Sequence, residues 1–191
     1  MARFATYIST FCAAGSLMFL YGCAEVASDQ PDEAAVDQAS QGHTEIHTED
    51  RCDPATFGAL CNPNFNGGTT LAEFSAELDA TQRVAAWEYG GGQARVPLGS
   101  SFRVDNKGGE THTFSIVANF GGGRVPGLNT ASGNTVVAPE CVAGPNASNV
   151  DIASGAGINV TTGSTGVIKA RGTFKVQCCI HPWMRATVSI R

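Results

Sequence analysis

Gly172-Thr173-Phe174-Lys175-Val176-Gln177-Cys178 runs straight into Cys179-Ile180-His181-Pro182-Trp183-Met184. The first part alternates. Phe174, Val176 and Cys178 fall on one side of an extended chain, Lys175 and Gln177 on the other. The second part is a short loop crowded with donor atoms: a thiol, an imidazole and a thioether within seven residues. Working outward, the period of two recurs at Ala85, Trp87 and Tyr89, at Phe102 and Val104, at His112, Phe114 and Ile116, and at Ala186, Val188 and Ile190. Turn clusters separate these runs: Gly90-Gly91-Gly92, Asn106-Lys107-Gly108-Gly109, Gly121-Gly122-Gly123 and Gly163-Ser164-Thr165-Gly166. Short half-buried strands between Gly-rich turns imply an all-β chain, a Greek-key antiparallel β-sandwich of about seven or eight strands. Gly121-Gly122-Gly123-Arg124 lacks the Lys-Ser/Thr pair and helix of a phosphate-binding loop and reads as a turn.

One segment has another period. Thr70 and Glu73 have the spacing of a capping box, and Leu71, Phe74 and Leu78 share one helical face, so a short helix is expected over 70–79. It belongs to an N-terminal elaboration spanning 51–83, ahead of the main sandwich at 84–191.

The N-terminus reads as a targeting segment. Residues 4–22 carry no charge and end in Leu20-Tyr21-Gly22-Cys23, which resembles the lipobox of bacterial lipoproteins. That resemblance implies a signal peptide over 1–22, a lipidated Cys23 and an extracytoplasmic, periplasmic protein held to the membrane. The alternative is an uncleaved anchor, because the apolar run is just long enough to span a bilayer. Between Cys23 and Asp50 stand eight acids and no Lys or Arg, whereas Arg51–Arg191 carries nine acids and eleven bases, a net of +2. Residues 23–50 contain almost nothing large and apolar, so an acidic disordered tether is expected there. His43 and His47 fall in it and read as solvated side chains rather than a metal pair. A near-neutral body argues against nucleic acid as a partner.

The chemistry gathers at Cys178, His181 and Met184. A thiolate with imidazole and thioether suits copper, and a second imidazole is needed to complete the plane. Apart from His181, the body beyond residue 50 offers only His112, on the inward stripe of its run. Cys-x-x-His-Pro-x-Met with an upstream His resembles the type 1 blue-copper cupredoxins, the plastocyanin-like and amicyanin-like group in particular. Gly99-Ser100-Ser101-Phe102-Arg103-Val104-Asp105-Asn106 ahead of Thr111-His112-Thr113-Phe114 supports the match. The resemblance implies one copper ion held by His112, Cys178 and His181, with Met184 weak and axial. It implies one-electron transfer without enzymatic turnover, in a monomer. It also implies an exposed His181 edge as the electron exit, and a redox partner protein docking at Pro182 and Trp183 beside the Gly121–Gly123 turn, with Arg185 at hand to steer an acidic partner. Copper storage, delivery or sensing is the alternative function.

The chain departs from the family at two positions. Thr113 stands where an Asn commonly follows the first His, and Cys179 where a Ser or Thr commonly follows the Cys. The competing readings are a zinc site of Cys178 and His181 completed by His112 and Cys179, a cupredoxin fold that has lost its metal, and a vicinal Cys178–Cys179 disulfide. Seven cysteines less Cys12 and Cys23 leave five. With Cys178 on copper, four remain and three connectivities are open. Cys52 and Cys61 lie close in sequence and are expected to pair, leaving Cys141 with Cys179. No Ser/His/Asp or paired-carboxylate set is visible, and Trp87 reads as core.

Overall fold

Each alternating run contributes a strand, and most of its apolar members point into one core. The structure, a computed structural model, describes residues 45–61, 67–90, 93–142, 145–146 and 148–191. The signal segment with Cys12, the lipobox Cys23 and the tether as far as residue 44 lie outside the described residues.

Among the described residues nine strands form two packed sheets. One sheet contains β1 (Glu45–Asp50), β2 (Trp87–Gly90), β4 (Ser101–Asn106) and β7 (Gly157–Thr161), in the order β2-β1-β4-β7. The other contains β3 (Gln93–Val96), β5 (His112–Val117), β6 (Asn149–Ile152), β8 (Gly172–Gln177) and β9 (Arg185–Ile190), in the order β3-β9-β8-β5-β6. The sandwich is the expected one, but its sheets are mixed rather than purely antiparallel. β1 runs parallel to β4, and β3 parallel to β9. Parallel neighbours need long crossovers. The elaboration, with β2 and β3, supplies the crossover between β1 and β4.

The tether boundary also moves. Glu45–Asp50 is a strand rather than tether, seated between β2 and β4 with Ile46, Thr48 and Asp50 buried. Its polar composition concealed a period of two in which only one of the three inward side chains is apolar. His47, expected as a solvated tether side chain, is instead half-buried in this strand with Nε2 2.9 Å from Glu49 Oε1, and His43 lies outside the described residues.

The core includes Ile46, Trp87, Val96, Val104, Phe114, Val176 and Val188, each at most 2% exposed. Ala85, expected inward, is exposed, and Val84 fills the place instead. The elaboration covers one end of the sandwich. It contains α1 (Pro54–Phe57), capped by Asp53, and α2 (Leu71–Thr81). In α2 the Thr70 hydroxyl accepts from the Glu73 N–H at 3.2 Å, and the Glu73 carboxylate accepts from the Thr70 N–H at 2.9 Å, the expected capping box. Leu78 is buried and Phe74 packs on the core, while Leu71 is exposed. Phe57, Phe74 and Trp87 meet with ring centroids 4.8–5.7 Å apart. Two further helices, α3 (Pro126–Ala131) and α4 (Pro139–Val142), lie between β5 and β6. Disulfides join Cys52 to Cys61 and Cys141 to Cys179, leaving Cys178 free, as expected.

Candidate metal centre

His112 opens β5 and Cys178 directly follows β8, its antiparallel neighbour. Adjacent strands therefore deliver the first imidazole and the thiol to the same end of the core. The loop after Cys178 closes on itself: the Cys178 N–H donates to the Met184 carbonyl at 3.0 Å, and the Met184 N–H to the His181 carbonyl at 2.9 Å. That closure folds His181 and Met184 back toward Cys178. Cys178 Sγ lies 3.9 Å from His112 Nδ1 and 4.0 Å from His181 Nδ1, and the three donor atoms all fall within 4.8 Å of one another. Two metal bonds of about 2.0 and 2.3 Å meeting at a trigonal angle span roughly 3.7 Å, so a single ion fits this triangle with little adjustment. Met184 is buried beside the group, in the same core cluster as Cys178.

The two departures from the family pattern prove to be structural. Thr113 Oγ1 accepts the Cys179 N–H at 2.7 Å and contacts Ser115 Oγ at 2.7 Å, so a hydroxyl ties the ligand strands together. Cys179 faces away from the site, in a separate small cluster with Val117, Ala138 and Cys141. Its sulfur is committed to Cys141 in α4, which removes it from any zinc shell and from a vicinal disulfide.

Sequence reasoning missed the outer nitrogens of both imidazoles. His112 Nε2 lies 3.0 Å from Asp50 Oδ2, with both side chains fully buried. The Asp50 carboxylate also accepts the N–H groups of Gly109 at 2.5 Å and Glu110 at 2.8 Å. This needs Gly108, because a Cβ there would come within 2.6 Å of the carboxylate. His181 Nε2 lies 2.9 Å from Glu110 Oε2, which also accepts from Trp87 Nε1 at 3.3 Å. Trp87 is therefore core on one side and site support on the other. Each histidine is thus held at its outer nitrogen by a carboxylate, the arrangement that fixes tautomer and ring orientation in metal sites. The Gly108-Gly109 turn beside His112 was the available sequence signal. Nothing in residues 45–50 marked Asp50.

The electrostatics agree with a ligand set. Burial works against charge on His112, but its hydrogen bonds to Asp50 and Cys178 together outweigh it and raise the imidazole to about 9. Burial likewise opposes charge on His181, and Cys178 and Glu110 raise it nonetheless. Burial would push the Cys178 thiol up, yet the two imidazoles hold it well below its usual value. The backbone N–H groups of Thr113 and His181 also approach the sulfur, at 3.4 and 3.5 Å. A thiolate between two imidazoles, with a thioether at hand and no second thiol, fits one type 1 copper ion.

The expected exit surface is not open. The His181 side chain is only 5% exposed, because Glu110 covers Nε2 and Trp183 covers a face at 5.5 Å between centroids. Pro182 is buried, and Trp183 is half-buried against Phe74 of α2 at 5.9 Å. The Gly121–Gly123 turn lies against Gln177 and the Cys179 carbonyl. The elaboration contributes through Phe74, which packs on the Trp183 ring that covers His181.

No family model matches the chain, and no curated protein matches it. Among solved structures it is similar to a purple cupredoxin from Nitrosopumilus maritimus, at 12% identity and a TM-score of 0.40, covering 77% of this chain and 98% of that one. It is similar to an amicyanin variant in the Cu(I) state, at 14% identity and a TM-score of 0.34, covering 56% of this chain and 76% of that one. A copper-containing nitrite reductase from Thermus scotoductus SA-01 overlaps 55% of this chain and 20% of its own length, at 13% identity and a TM-score of 0.33. These overlaps are too loose to carry chemistry. The copper assignment rests on the thiolate and two imidazoles that this chain itself brings together at one end of its β-sandwich.

Proposed function

We propose that the protein is an extracytoplasmic one-electron carrier, anchored to a membrane through a lipidated Cys23 and acting as a monomer without enzymatic turnover. Copper supplies the one-electron chemistry. His112, Cys178 and His181 would hold it, with Met184 as a further, weaker donor. The observation that carries this reading is the enclosure of the donor set. Both imidazoles are clamped at their outer nitrogens by Asp50 and Glu110, and the ligand loop is closed by its own backbone hydrogen bonds. Such a frame keeps one geometry in both oxidation states, so electron movement demands little rearrangement. The same enclosure disfavours a delivery role, which needs a ligand face open to an acceptor.

The test is Cys178→Ser. The copper-loaded protein is expected to show the intense visible absorption of a copper–thiolate bond and reversible one-electron cycling. The variant is expected to lose the band while retaining its fold by circular dichroism, because a serine oxygen does not replace the soft thiolate. Full colour in the variant would overturn the ligand assignment.

A further inference from the structure

With the His181 edge covered, an electron needs another way out. Trp183 provides a path: its ring lies 5.5 Å from that of His181, tilted by 59°, on the inside and lines a cleft of about 450 Å³ outside. The cleft lies between the end of α2, the turn after α3 and the start of β9. Its lining includes Arg83 and Arg185 and contains no Asp or Glu. Arg185 donates to the Pro182 carbonyl at 2.9 Å and to Asn134 Oδ1 at 2.5 Å, both neutral acceptors, and its guanidinium lies 5.0 Å from the centre of the Phe120 ring. Among the described residues, neither arginine forms an ion pair, although Arg51, Arg103 and Arg124 all do.

We infer that this cleft is a docking site for the acidic face of a one-electron redox protein, with Arg83 and Arg185 receiving its carboxylates and Trp183 as the electron port. Charge complementarity carries the assignment. Two cations that form no ion pair among the described residues line the same cleft as Trp183, the ring that joins the donor set to the surface, while Glu110 places negative charge over the direct His181 edge and turns an acidic partner away from it. One electron leaves the reduced centre by His181 and Trp183 and reduces the partner's carrier. The centre is oxidised by one electron, and no bond or proton moves. This rests on the electron-carrier reading, but the cleft itself is testable without copper.

The first measurement titrates the copper-free protein with hexacyanocobaltate(III), an inert trianion, and follows backbone amide shifts. Shifts concentrated at residues 81–83, 132–134 and 183–185, and lost in Arg83→Gln/Arg185→Gln, are expected. The second measures oxidation of the reduced copper protein by anionic hexacyanoferrate(III) and by cationic tris(phenanthroline)cobalt(III). The double variant should slow the anionic reagent by about tenfold and leave the cationic one unchanged or faster. Arg83→Gln alone should give part of that change; among the described residues its side chain makes no hydrogen bond or ion pair, so folding is not at issue. Shifts centred elsewhere, or equal slowing with both reagents, would overturn the docking site. Failure of the protein to take up copper would instead sink the carrier reading, with the anion titration still deciding the cleft.

Discussion

Glu110→Gln isolates what a carboxylate behind a ligand contributes. The glutamine carbonyl oxygen can still accept from His181 Nε2 and Trp87 Nε1, so the geometry survives and the charge goes. The carboxylate oxygen is 2.9 Å from Nε2. Adding about 2.2 Å across the imidazole and about 2.0 Å for a metal–nitrogen bond puts the charge roughly 7 Å from the ion. At an effective dielectric constant near 20, one unit of charge at that distance is worth about 2.4 kcal/mol, in favour of the more oxidised ion. For a one-electron couple that is on the order of 100 mV, since about 59 mV corresponds to a tenfold change. Glu110 retains some contact with water, its side chain being 15% exposed. Screening therefore makes the figure an upper bound, with about half of it a reasonable expectation. The reduction potential should rise by that amount, and affinity for Cu(II) should fall about 10- to 100-fold, with Cu(I) affinity falling by about the square root of that factor because it carries half the charge. Protein-film voltammetry and competition titrations with a chelator measure both. An unchanged or lowered potential, with the visible spectrum intact, would refute the claim that Glu110 acts through His181.

Met184→Leu should retain copper and raise the potential, because a donor favouring the oxidised state is lost. Loss of copper on that change would make Met184 a structural ligand rather than a weak axial one. Copper uptake should strengthen with pH: His112 holds its proton up to about 9 in the metal-free protein and must release it to bind, while the two imidazoles hold the Cys178 thiol well below its usual value. The logarithm of the affinity should rise by at least about one per pH unit between 7 and 9 and flatten above, as read by titration at fixed chelator competition. A pH-independent affinity would contradict the proton count. Cys141→Ser opens a loop of 38 residues. By chain entropy it should cost up to about 4 kcal/mol in denaturant unfolding, and it should broaden the copper spectrum, because Cys179 adjoins the thiolate ligand.

The strands of the main sandwich were legible because their residues alternate strongly and glycines punctuate them. The ligand set was legible because sulfur and imidazole donors cluster in one loop. The disulfides followed once Cys178 was assigned to metal. Three things were not legible. β1 hid behind its charges, since Thr48 and Asp50 occupy inward positions that pattern reading reserves for apolar groups. The parallel pairings follow from where β1 and β3 insert, which no local period encodes. The covering of His181 depends on Phe74 and Glu110 meeting a loop far away in sequence, so the exposed edge implied by resemblance did not survive the elaboration this chain adds.

β1 has a consequence for how the protein is handled. It is an inner strand of its sheet, not an edge, and it also carries Asp50. A chain trimmed to begin at Arg51, where composition suggests the folded part starts, leaves β2 and β4 flanking an empty slot of unpaired backbone. Such a slot accepts a strand from another molecule. The trimmed protein should associate through that gap, and a synthetic peptide covering residues 45–50 should compete for it and restore the clamp on His112 in the same step. Backbone pairing and metal-site order would then be recovered as one event.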